Sequence, residues 1–298
     1  MQTSSRWLPV ALTVAVVAIS TAAVLFRMAP DVPPLTAAGD RLLLAGVLLA
    51  LWVGPRRLAA LPRGPTALAG VLYAAHFGAW VASLGMTSIA TSVTAVTTSP
   101  ILLALWGLVT RRDAPTRRTL VALTLAAIGV VALALVNGDD RPAHGLGLAL
   151  ALAGAAPIAA YFWLGRSLGP ELDALAFSSA ATLIGGIVLL VLALIVGEPL
   201  VPTRWSEVGV IVGAAAVPQL VGHTLLTWSL RHATPTTVAL ATLGEPAGAS
   251  ILAALLIGEP LTWPAAIACA ITLSGVALAT RPPKRTASNV AARQPTPS

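Results

Sequence analysis

One carboxylate stands out by its position. Glu245 lies within TPTTVALATLGEPAGASILAALLIGE, residues 234–259, a stretch long and apolar enough to cross a bilayer. An ionised group at that depth is costly and by default marks a functional site facing a bundle interior or a watery cavity. Pro246 follows directly and leaves a backbone carbonyl one turn earlier without its donor, which membranes tolerate only where protein or water satisfies it. Two imidazoles lie at similar depth. At the helical rise, His76 falls roughly 15–18 Å from the near end of its apolar run, His223 roughly 10–12 Å, Glu245 roughly 16 Å and Ser99 about 15 Å. All four are therefore expected to face one midplane cavity. Trp80 and Trp228 follow the two histidines at spacings of four and five residues. A four-residue step keeps His76 and Trp80 on one helix face, whereas five is a looser match.

This set suits two chemistries. Aromatic faces beside a carboxylate hold an organic cation or an amphipathic solute through cation–π contact and burial. Glu245 with His223 could instead take up and release protons, as intramembrane acid and imidazole chains do in pumps and transporters. Plainer explanations compete with both. Histidines at membrane depth often serve as helix-to-helix hydrogen-bonding glue. Glu245 could be capped by backbone or a neighbouring hydroxyl, and Trp80 and Trp228 could be ordinary packing. Arg41, at the start of an apolar run, is expected to be an anchor that snorkels to the outer interface rather than a ligand.

The elements that must position these residues are helices in a membrane. Of 298 residues 57% are hydrophobic and 10% charged, with a mean hydropathy of +0.87, which excludes a soluble globular domain. Apolar runs of about 20 residues predict ten helices near residues 8–27, 35–53, 66–85, 89–110, 118–136, 145–165, 172–196, 207–230, 234–257 and 262–280. Short polar connections carrying Pro, Gly and charge separate them. The first run, behind Arg6, is expected to be an uncleaved helix rather than a signal peptide. Residues 281–298 read as a disordered, basic cytoplasmic tail.

The net charge of +7 does not imply nucleic acid, because the arginines sit in short clusters between apolar runs. Arg6, Arg56, Arg57, Arg63, Arg111, Arg112, Arg117, Arg118, Arg166 and Arg231 fall on one side together with the basic tail. The other side holds only Arg27, Arg41, Arg141 and Arg204. The positive-inside rule then places both termini in the cytoplasm. Trp7, Trp52, Trp106, Trp205 and Trp263, near run ends, are expected to form the interfacial aromatic belt. Asp139 and Asp140 read as a solvated turn in an outer loop. The single cysteine, Cys269, allows no intramolecular disulfide, and neither a metal-ligand spacing nor a cofactor motif appears, so no cofactor and no metal are expected.

The chain repeats itself. A shift of 146 positions places Ser83-Leu84 on Ser229-Leu230, Ser99-Pro100 on Glu245-Pro246, Asp113 on Glu259 and Gly129-Val130 on Gly275-Val276 without a gap. Residues 1–137 and 145–280 form two units of five helices each. An odd number per unit forces the halves to enter the membrane in opposite directions, the inverted-topology repeat of many secondary transporters, whose substrate sites lie at the repeat interface near the midplane.

The runs LYAAHFGAWVASLGMTSIATSVTAVTTSPILLALWG and VPQLVGHTLLTWSLRHATPTTVALATLGEPAGASILAALLIGEPLTW, with PLTAAGDR at the start of the second helix, resemble the EamA-like branch of the drug/metabolite transporter superfamily. The resemblance spans all ten runs. It implies an all-α membrane carrier of ten transmembrane helices in two inverted repeats, with a central cavity for small organic metabolites or drugs, and it leaves monomer and homodimer both open. The first repeat reads Thr110-Arg111-Arg112-Asp113 where the family commonly has Gly-Glu, which leaves any function of an acid there in question.

The expected function is therefore a secondary transporter, and specifically an exporter, of small organic solutes such as amino acids or drug-like amphipaths across the cytoplasmic membrane. The candidate substrate-binding residues are Glu245, His76, His223, Trp80, Trp228 and Ser99, with lipid as surroundings and protons as a candidate coupling ion. No P-loop occurs, so this chain does not itself couple to ATP. The alternative is an intramembrane enzyme, a hydrolase or lipid transferase, built for instance on a His223–Ser99 contact. A non-transporting receptor or scaffold is the third class.

Overall fold

The computed structural model describes residues 7–137, 144–258 and 261–280, so the expectations for residues 281–298, for Asp139 and Asp140 and for Glu259 fall outside the described residues. Among the described residues ten helices are long and apolar enough to cross a membrane: Leu8–Arg27, Pro34–Val53, Arg63–Leu84, Ile89–Thr110, Arg117–Val136, His144–Ser167, Ala174–Val196, Trp205–Ser229, Pro235–Leu256 and Trp263–Thr280. No strand occurs among the described residues. The outer faces carry Leu51, Val109, Leu135 and many other exposed aliphatic side chains, which a soluble protein would bury and a bilayer solvates. Trp7, Trp52, Trp205 and Trp263 are likewise exposed at span ends.

The spans pair in a pattern that maps onto itself when the halves are exchanged. The second packs along the seventh, the fifth along the tenth, and the fourth meets the ninth, each pair being its own image. The third lies against the sixth as the eighth lies against the first. Small residues allow the closest approaches, since helices in lipid associate largely by van der Waals packing. A Cβ at Gly275 would stand 2.5 Å from the Ala126 nitrogen, and one at its repeat counterpart Gly129 would collide with Thr272. Between the second and seventh spans, Gly46 abuts Leu183 and Gly186 abuts Leu43 with equally little room.

Three spans are irregular, and a proline accounts for each. The fourth consists of Ile89–Val96 and Ser99–Thr110, interrupted at Thr97-Thr98, and the ninth of Pro235–Thr242 and Gly244–Leu256, interrupted at Leu243. Pro100 and Pro246 cannot donate to the carbonyls of Val96 and Thr242, the last residues before each interruption. In the eighth span Pro218 sits within a π-helical segment, Ala215–His223. Such wide turns are rare and cluster at functional sites.

Polar contacts tie the ends. Asp173 caps the seventh span by accepting from the Ala176 N–H, and the Arg57 guanidinium holds its carboxyl below the usual carboxylate range. Arg166, at the end of the sixth span, pairs with Asp113 at 3.2 Å and donates to the Leu230 carbonyl at 3.1 Å. The acid in the first repeat's divergent loop thus bridges the two halves.

Candidate functional site

Six spans meet at the centre: the first, third and fourth from one half and their counterparts, the sixth, eighth and ninth, from the other. They enclose a cavity of about 30 Å³, room for about two waters. Its walls include Ile19, His76, Phe77, Trp80, Ser99 and Glu245 together with Ile158, Phe162, His223 and Thr242. Every one of these side chains is buried.

Each polar wall residue owes its place to a local feature. His76 and Trp80 are four apart on a regular helix, and their rings lie nearly parallel, 6.5 Å between centroids and 8° between planes. His76 Nδ1 donates to the Gly154 carbonyl at 2.8 Å, joining the third span to the sixth. The neutral ring then keeps Nε2 as an acceptor. His76 is therefore helix-to-helix glue and cavity wall at once. His223 ends the π-helical segment, lies edge-on to Phe77 with ring centroids 5.0 Å apart, and leaves Nδ1 without a hydrogen-bond partner among the described residues.

Ser99 and Glu245, which the repeat superposes, follow the two interruptions and reach the same cavity. Among the described residues no donor bonds the Glu245 carboxylate. Ser20 Oγ approaches only its backbone carbonyl, at 3.5 Å, so the hydroxyl cap expected as the plain explanation is absent. No hydrogen bond joins His223 to Ser99 among the described residues, although both face the cavity.

Trp228, expected as a cavity wall, lies elsewhere. Five residues beyond His223 on a helix that has returned to α geometry, it is not among the residues lining the cavity and is half-buried, with its ring 4.3 Å from that of His232.

Arg41 requires a larger correction. Expected to snorkel, it is instead 0% exposed. It sits seven residues into its span, roughly 10 Å deep, on the face it shares with the fully buried Ala38, Leu42 and Ala45, so its head cannot reach an interface. Nη2 donates to Gln219 Oε1 at 2.9 Å, and Gln219 Nε2 donates to Thr182 at 3.2 Å. The guanidinium carbon lies 4.6 Å from the centre of the Phe77 ring, 5.7 Å from Phe26 and 5.9 Å from Trp80. Among the described residues Nε and Nη1 have no hydrogen-bond partner. The sequence signals that point to this arrangement are the depth of Arg41 within its run and the proline-induced turn that carries Gln219 inward.

Two larger recesses flank the centre at opposite ends of the bundle. One, of about 280 Å³, is bounded by the loops after the first and third spans and includes Phe26, Asp31, Ala37 and Val81. The other, of about 140 Å³, includes Trp106, Arg112, Asp113 and Arg166. Phe26 and Trp80, edge to face at 6.1 Å, stand between the first recess and the central cavity.

Comparison with known proteins agrees with this architecture. No curated protein matches the sequence. A crystal structure of another protein superposes with a TM-score of 0.77 at 16% identity, covering 92% of this chain and 97% of that one, a likeness that concerns the fold alone. A sequence model of the EamA-like transporter family matches twice, over residues 6–135 and 145–281. The paired matches, covering nearly the whole chain, place it in the EamA-like transporter family of the drug/metabolite transporter superfamily.

Proposed function

We propose that this protein is a secondary transporter that exports small organic metabolites, amino acids or drug-like amphipathic solutes, across the cytoplasmic membrane by opening its central cavity alternately to the two ends of the bundle. One observation carries the reading. Equivalent spans from the two inverted halves enclose a buried polar and aromatic cavity, with a recess beyond it toward each end. A cavity with room for about two waters is too small for such a solute, so the conformation is contracted and the halves must move apart to load.

In this reading both termini face the cytoplasm, from the arginine distribution, and the 140 Å³ recess with Arg112 and Arg166 is the inner one. Protons are the coupling ion. A buried carboxylate without a donor is relieved equally by a proton or by a cationic group of the solute, so Glu245 exchanges one for the other. One chain encloses the whole cavity, so a homodimer would hold two complete carriers. No residue acts catalytically here.

The test begins with a comparison of metabolite accumulation in cells with and without the gene, followed by reconstitution in liposomes. The best candidate solute should move, and an imposed pH gradient should drive it uphill. No difference between the cells overturns the transport reading, and accumulation indifferent to the gradient overturns the coupling.

A further inference from the structure

Resting on the transport reading, we infer that Arg41 is a charge filter on the outer half of the path and that the solutes carried are zwitterions with a free carboxylate rather than organic cations. The inference comes from where the guanidinium lies. Ala37, one turn before Arg41 on the same helix, and Phe26, against which Arg41 stacks, both line the 280 Å³ recess. Phe77 and Trp80, on its other side, line the central cavity. Arg41 therefore stands between the two compartments, behind one ring on one side and two on the other. A solute passing from cavity to recess must displace those rings and meet the charge.

Three further observations fix what that encounter favours. Arg41 is wholly buried, yet two of its three nitrogens lack hydrogen-bond partners among the described residues. Buried N–H groups on a cation are expensive to leave unmatched, and a carboxylate is the group that matches them most strongly. Glu245 lines the same cavity as Phe77 and Trp80, the two rings against which Arg41 stacks, so a solute there meets a carboxyl group in the wall and a guanidinium behind the rings. A solute bearing only an ammonium would be attracted by Glu245 and repelled by Arg41, as fixed arginines exclude cations in other membrane pores. A zwitterion satisfies both. Finally, Phe77, Trp80 and Phe162 give the cavity an apolar wall for a side chain.

The experiment uses the full chain in proteoliposomes and four radiolabelled probes that share one phenylethyl body: L-phenylalanine, which has both charges; phenethylamine and L-phenylalaninamide, which lack the carboxylate; and N-acetyl-L-phenylalanine, which lacks the ammonium. Wild type should move L-phenylalanine about tenfold or more faster than either cation, since a site built for a polar group strongly rejects an analogue without it. In Arg41→Gln that ratio should fall to near one or invert, and Arg41→Lys should keep a ratio well above one. A change in the ratio, unlike a loss of rate, does not follow from damaged folding. Wild type that prefers the cations, or an Arg41→Gln variant that is active with the ratio unchanged, overturns the inference. An Arg41→Gln chain that fails to fold leaves the wild-type ratio and Arg41→Lys to decide it. Movement of none of the four overturns the zwitterion class, while the transport reading then stands or falls on the metabolite comparison alone.

Discussion

Arg41 donates to Gln219 across the repeat interface at 2.9 Å, joining the second span of one half to the π-helical turn of the eighth span in the other. This is the one hydrogen bond that the buried guanidinium makes among the described residues. Replacing Gln219 by Leu should therefore leave a buried charge without that hydrogen bond and cost about 2–3 kcal/mol, read as a lowered unfolding midpoint in detergent or bicelles. An unchanged midpoint would mean that the guanidinium finds another acceptor.

Glu245→Gln should lower transport about tenfold or more while the protein remains folded, because the variant keeps the shape but loses the charge that substrate and proton share. Rates at the wild-type level in that variant would remove the carboxylate from the mechanism.

Gly129→Leu and Gly275→Leu should each destabilise the protein by about 1–3 kcal/mol or more through overpacking, with similar effects because the two sites are images of each other. The measurement is thermal unfolding of each variant. A tolerated Leu at either position would show that the fifth and tenth spans do not approach as closely as the contacts to Thr272 and Ala126 require.

Asp173 tests the loop between the second and third spans. Its carboxylate takes two bonds from Arg57, 2.6 and 2.9 Å, and caps the seventh span. Asp173→Ala should cost about 1 kcal/mol near neutral pH, chiefly through the cap, since an exposed ion pair adds little. The folded carboxyl is held below its ordinary 3.8, first by the Arg57 bond. Its contribution is therefore present above that value and fades as pH falls below it. The stability gap between wild type and variant should narrow in acid; a gap that widens there would contradict the ion pair.

Orientation can be read with single cysteines in a Cys269→Ser background. Ala59 and Val201 are both exposed, in loops that the ten-span path puts on opposite faces. Ala59→Cys should label only from the cytoplasmic side and Val201→Cys only from the outside. Labelling of both from one side would refute the topology.

Much of this arrangement was legible in the sequence because the membrane enforces it. A span needs about 20 apolar residues, so the ten helices were countable. Five per repeat fixes inversion by parity, and Pro100 and Pro246 interrupt their helices wherever the backbone around them goes. The four residues His76, Ser99, His223 and Glu245 meet in one cavity because depth along a helix is a matter of counting.

What the tertiary structure decided is direction around each helix and the identity of neighbours. Arg41 was expected to snorkel because its span begins nearby, but its face is the one packed inward, so its head meets Gln219 and three aromatic rings instead of water. Trp228 follows His223 by five residues of regular α-helix, a step that turns it about 140° from the His223 face. The π-helical segment brings Gln219 and His223 inward together. Periodicity gives a residue its height in the membrane, and only packing between the two halves gives it a partner, which is why the Arg41–Gln219 pair emerges from the fold.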